Sequence, residues 1–123
     1  MDVVKQIEEL VALARAENWS EVDARILAVC NNSPVQGWAY AALESDEHNL
    51  RDLAASILEK AQQWEFRVSE LVRTALQNEQ HPYAKFRMAC ALAAHGYKSD
   101  TVVLTLKEAP KDVQEIAKRY LSS

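Results

Sequence analysis

Apolar residues recur along the chain at intervals of three and four, the period of a helix that turns one face inward. Val4, Ile7, Leu10, Val11 and Ala14 form the first stripe and predict a helix over 2–18, with the Asp2 carboxylate favourable at its start. Trp19-Ser20 predicts a break: Ser20 followed by Asp23 approximates a capping box, Trp19 holds the staple position, and a second helix covers 21–30. Asn31-Asn32-Ser33-Pro34 breaks the pattern again, with Ser33 as cap and Pro34 at the first helical position, where its missing N–H costs nothing. Helix three, 34–44, turns Val35, Trp38, Ala39, Ala42 and Leu43 inward. Gly37 inside it costs about 1 kcal/mol relative to alanine, and close packing against a neighbouring helix is the expected compensation.

Ser45-Asp46 caps a fourth helix reaching 62, with Leu50, Leu53, Ala54, Ile57 and Leu58 inside, and a fifth covers 64–78. Pro82 starts helix six, which Gly96 ends as a left-handed cap. Phe86 and the run from Met88 to Ala94 leave that helix almost no polar face, which places it centrally. Thr101 to Leu106 has high strand propensity, yet Ser99 and Asp100 are capping residues and no second strand exists to satisfy its backbone, so a seventh helix is expected. Pro110 opens helix eight, 111–121.

A shorter signature, apolar or small residues four apart, returns at Val22-Ile26-Cys30, Leu50-Ala54-Leu58, Phe86-Cys90-Ala94 and Val113-Ala117-Leu121, each time after another apolar helix. The intervals between these starts are 28, 36 and 27 residues. Such spacing belongs to stacked helix pairs, which bury a continuous core, leave one long face for a partner and carry no built-in chemistry. The run Asn49-Leu50-Arg51-Asp52-Leu53-Ala54-Ala55-Ser56-Ile57-Leu58 resembles the second helix of a HEAT-like repeat of the armadillo-like, phycobilin-lyase type, whose usual form is a turn Asp followed by Val-Arg-x-x-Ala-x-x-x-Leu. Lys85-Phe86-Arg87-Met88-Ala89-Cys90 and the stretch from Asp112 to Leu121 look like looser copies. Asp23 and Gln114 stand where that family prefers Arg, so its Asp–Arg ladder can involve at most Arg51 and Arg87.

The resemblance implies an all-α fold, a short right-handed α-α superhelix of about four antiparallel hairpins. With the second helices lining its concave side, positions two and six beyond each first apolar residue face outward. Those positions, Asp52, Ser56, Met88, Leu92, Glu115 and Arg119, are the expected partner-binding residues. A tetratricopeptide repeat fits less well, because no Trp-x-x-Leu-Gly-x-x-Tyr run occurs.

Length fits one domain over 1–123, and two glycines with three prolines are too few turn residues for a β fold. No stretch approaches the roughly 20 apolar residues of a membrane span, and the first helix does not read as a signal segment, so a cytoplasmic location is expected. Cys30 and Cys90 both sit at core spacing and read as buried reduced thiols.

Candidate chemistry is sparse. His48 reads as a solvated first-turn residue, His81 as a turn residue before Pro82, and His95 as a C-terminal partner of the helix dipole. None has a second ligand at metal spacing, and Cys90 and His95 diverge on their helix. Glu8-Glu9 and Asp46-Glu47 are adjacent on helices and point apart, and no phosphate loop or nucleophile elbow occurs. No metal, cofactor or intrinsic catalysis is therefore expected.

Residues 1–65 carry twelve acids against five bases, whereas 66–123 carry six against nine. Arg67, Arg73, Lys85, Arg87, Lys98, Lys107, Lys118 and Arg119 form a mild analogue of the basic face of HEAT-like DNA glycosylases, but the net charge of −4 repels phosphate and acids interleave with these bases. Binding of another protein, as a module or adaptor, is the expected function. An accessory lyase-type subunit holding a small ligand around His48 or Cys90, and a weak nucleic-acid binder, are the alternatives, with pairing of acidic and basic ends into a homodimer a further one. Trp19, Trp38 and Trp64 read as core or staple residues.

Overall fold

A computed structural model describes residues 2–122. Its regular structure there is entirely helical: α1 (Val3–Arg15), α2 (Trp19–Val29), α3 (Ser33–Ala42), α4 (His48–Lys60), α5 (Phe66–Asn78), α6 (Pro82–Ala94), α7 (Asp100–Lys107), and a 3-10 turn (Lys111–Val113) leading into α8 (Gln114–Leu121). No described helix is long and apolar enough to cross a membrane.

Several helix ends follow the capping logic of the sequence, and others shift. Asp2 accepts the N–H of Val4 and Ser99 that of Val102, so the strand-like Val-Val-Leu run is helical because its first turn is capped. At the end of α6, Gly96 has φ 88°, its N–H donates to Ala93 O, and Tyr97 N–H donates to Leu92 O, the paired bonds of a Schellman turn. Asn32, not Ser33, caps α3, accepting from Val35 N at 3.3 Å. Ser20 does not cap α2. The helix already starts at Trp19, because Glu17 in the left-handed region (φ 57°) and an Asn18 N–H bond to Leu13 O reverse the chain sooner. Ser45 accepts Glu47 N–H in a turn, and α4 begins at His48. Trp64 stands outside α5, its indole N–H held by Ser69 Oγ at 2.6 Å and its ring stacked on His95 at 4.0 Å.

Consecutive helices pack in pairs, α1 with α2, α3 with α4, α5 with α6 and α7 with α8, while α2, α4, α6 and α8 pack on one another in that order. The helix α4 is enclosed by α1, α2, α3 and α6, and α6 by α4, α5, α7 and α8. Most of their side chains are therefore inside, and Leu53, Ile57, Phe86, Met88 and Leu92 are fully buried. Burial of each of these large side chains contributes about 1.5–3 kcal/mol. Trp19, Trp38 and Trp64 are half-buried and pack against this core.

The hairpins are joined by a polar relay that the Asp–Arg expectation did not contain. Three acids lie in the turns that lead into α4, α6 and α8, and each receives a donor from an earlier element. Arg15 of α1 reaches Glu47 through two bonds of 2.9 and 2.8 Å. Arg51 of α4 reaches Glu79 through bonds of 2.6 and 2.9 Å. Tyr83 of α6 donates to Asp112 at 2.8 Å. Arg51 lies four residues after Glu47 and Tyr83 four after Glu79, so the first turn of one second helix is tied to the entry of the next.

Candidate partner-binding groove

The first helices of the middle pairs, α3 and α5, flank an open cleft of about 870 Å³. One face of α3 supplies Gly37, Tyr40 and Ala41, the turn after it supplies Glu44, and one face of α5 supplies Arg67, Glu70, Leu71, Thr74, Ala75 and Asn78. Both sets follow three- and four-residue spacing, so each is a continuous stripe along its helix. Arg51 and Glu79, the relay pair, also line it. Arg51 is further fixed by donating Nη1–H to Ser45 O at 2.8 Å. Burial disfavours the Glu79 charge, but the Arg51 hydrogen bonds and the N–H groups of His81 and Gln80 outweigh it and hold the carboxyl below its usual range.

Gly37 does not make the close helix contact expected of it. A Cβ built there meets nothing within 4 Å. The residue faces the open cleft instead, and Leu71 opposite remains 39% exposed. A smaller cleft of about 480 Å³ lies between α5 and α7, lined by Arg73, Gln77, Tyr97, Lys98 and Thr101 among others.

The residues expected to face a partner are mostly inside. Asp52, Ser56, Met88 and Leu92 are buried, and the expectation that they point outward is corrected. Its physical error is the assumption of a bare second-helix face, whereas α1 and α2 cover α4, and α7 and α8 cover α6. Leu92 borders the smaller cleft without being exposed. Only Glu115 and Arg119, on α8, are exposed, and Glu115 pairs with Lys118 at 3.1 Å. The near-absence of a polar face on helix six was the signal that already put Met88 and Leu92 inside.

Asp52 and Ser56 belong instead to a buried polar row that crosses α4, α6 and α8. Ser56 donates to Asp52 O at 2.9 Å and lies 3.3 Å from its Oδ1. Arg87 Nη1 donates to Glu59 Oε1 at 2.9 Å, and its Nε lies 3.8 Å from Asp52 Oδ1. Tyr120 donates its hydroxyl to the other Glu59 oxygen. Burial pushes the Asp52 carboxyl up to about 7 despite the Arg87 charge, and pushes the Cys90 thiol and the Tyr120 hydroxyl above their usual ranges. Burial also works against the Arg87 charge, but Glu59 and Asp52 more than offset it. This row cross-links helices and leaves Cys90 a poor nucleophile.

The histidines occupy other places. His95 Nε2 lies 3.0 Å from Leu58 O, so that nitrogen carries the proton, and its ring stacks on Trp64. His48 and His81 stack face to face with centroids 3.8 Å apart. Neither cleft takes in His48 or Cys90. Among the described residues no group of three or more His, Cys, Asp or Glu is placed to hold a metal ion. Comparison with family models, with curated proteins and with solved structures gives no match for this chain.

Proposed function

We propose that this chain is a HEAT-like helical-repeat module whose hairpins stack as a short right-handed superhelix and whose task is to bind another protein. The observation that carries the reading is the cleft between α3 and α5: two helix stripes with both apolar and charged positions, held apart over second helices that pack directly on each other. Tyr40, Ala41, Leu71 and Ala75 supply apolar contact, while Glu44, Glu70, Arg67 and Arg51 supply charges of both signs. That lining suits an amphipathic helix of a partner that carries charges of both signs beside its apolar edge. Gly37 leaves out a side chain that would point into the groove, at a cost in helix propensity, although among the described residues nothing lies within 4 Å of where its Cβ would stand. A cytoplasmic setting suits its two reduced, buried cysteines.

The test is competitive capture with a groove-blocked variant. Wild-type chain, Ala41→Arg and an Arg119→Glu control are immobilised, and the proteins retained from cells of origin are compared by mass spectrometry. Ala41 is exposed in the groove, so the arginine fills the cleft without disturbing the core. Partners held by wild type and by the α8 control but lost with Ala41→Arg support the groove. Identical retention by all three places binding elsewhere.

A further inference from the structure

The N-terminal ends of α4 and α6 lie side by side, and a histidine stands at each. His48 opens α4, His81 caps α6, and their rings are stacked with centroids 3.8 Å apart and planes within 7°. Neither helix has a side-chain cap hydrogen bond at that end. Among the described residues, His81 Nδ1 is buried with no hydrogen-bond partner, while the residue's backbone N–H donates to Glu79 Oε2 at 3.0 Å. The Tyr83 ring leans on His81 from the next turn, 6.1 Å away.

We propose that the His48–His81 stack is an acid-released latch, which holds the entry ends of α4 and α6 together while both rings are neutral and parts them on protonation. Neutral imidazoles stack favourably, whereas two imidazolium rings at this distance repel. The positive ends of two helix dipoles also oppose a cation at either ring. Arg51 of α4 adds a like charge, and Glu79 before α6 and Glu17 after α1 oppose it. Burial and His48 prevail over those carboxylates and hold His81 below the ordinary histidine range. Protonation in the folded state is thus resisted and acts against the contact when it occurs.

The same ends carry the Arg51–Glu79 pair that lines the groove, so parting them loosens one wall of it. That consequence rests on the proposed function; the latch itself does not.

The experiment follows the His81 ring by NMR from pH 8 to 4.5 in the full chain and in His48→Phe, which keeps a ring to stack but removes its charge. Hydrogen exchange, corrected for intrinsic rate, is read at the Arg51 and Lys85 amides, which bond to Glu47 O and His81 O. In the wild type, protection of these amides is expected to fall roughly tenfold between pH 7 and 5, the equivalent of one pKa unit. In His48→Phe the fall shrinks to less than about threefold, and the His81 midpoint rises by about half a pH unit. An equal fall in both proteins, or an unmoved midpoint, overturns the latch. Should His48→Phe fold poorly, His81→Phe read at the same amides gives the same decision. A latch that responds while Ala41→Arg retains every partner sinks the groove reading alone.

Discussion

Arg51 and Glu79 meet in a two-bond ion pair across the entry to α6, with the Glu79 side chain fully enclosed and Arg51 about one-fifth exposed. Glu79 also accepts two backbone N–H groups from the turn that starts α6, so one carboxylate fixes both a neighbouring helix and its own. Removing it leaves Arg51 with its bond to Ser45 O alone and deprives two amide donors of their acceptor. Glu79→Ala is expected to lower stability by on the order of 2–3 kcal/mol, checked by urea denaturation. Arg15→Ala, which breaks an exposed pair of the same geometry, should change the midpoint far less. Equal losses in the two variants would show that enclosure does not set the value of these pairs.

Asp52 should make stability depend on pH. Its carboxyl ionises at about 7 in the folded chain but near 3.8 when unfolded, so the folded form holds its proton more tightly. The associated stabilisation is complete below the unfolded value and is lost as pH rises through the folded one. Relative to Asp52→Asn, which cannot ionise, the wild type is expected to lose on the order of 2–4 kcal/mol between pH 4 and 7.5. Urea midpoints for the pair at three pH values measure this. Parallel curves would mean that Asp52 ionises in a water-like setting.

Gly37 offers a change with opposite effects on folding and on binding. It lies inside α3 with its missing side chain aimed at open space, so Gly37→Ala is expected to raise stability by about 1 kcal/mol. The added methyl stands in the groove, and partner affinity should drop. Thermal denaturation reads the first effect, and the capture comparison the second. A stabilised variant that still binds fully would show that the glycine does not serve the groove.

Local rules were legible in the chain, and coverage was not. Ser99, Asp2 and Gly96 act as the capping rules require, because a cap depends only on a few adjacent residues. Whether Met88 or Asp52 faces solvent depends on how many helices surround α6 and α4, and periodicity reports a shared face but not what covers it. The repeat signature was itself ambiguous on this point, since it marks second helices without fixing which side of them stays bare. Trp64 reads as a first-turn residue by spacing, yet it leaves the helix for a partner, His95, that lies 31 positions away. The His48–His81 stack had one faint trace, a histidine at the entry of each of two successive second helices.

Two left-handed residues, Glu17 and Gly96, make opposite predictions. Gly96 (φ 88°) and Glu17 (φ 57°) sit at the same place in the same motif, each followed by an N–H bond back across the last helical turn. Glycine adopts this conformation without steric cost, whereas a side chain there brings its Cβ against the carbonyl oxygen. Glu17 is exposed and, among the described residues, no short-range bond of its side chain holds it in place; the strain is retained where α1 and α2 reverse within three residues. Glu17→Gly should therefore stabilise the chain by about 1 kcal/mol and Gly96→Ala should destabilise it by a similar amount, even though a methyl at position 96 meets nothing within 4 Å. Since packing is silent at both sites, denaturation midpoints isolate the backbone. If Gly96→Ala were neutral, φ at that turn would not be fixed by the Schellman bonds, and the docking of Tyr97 onto the core would have to come from its ring contact with Trp64 alone.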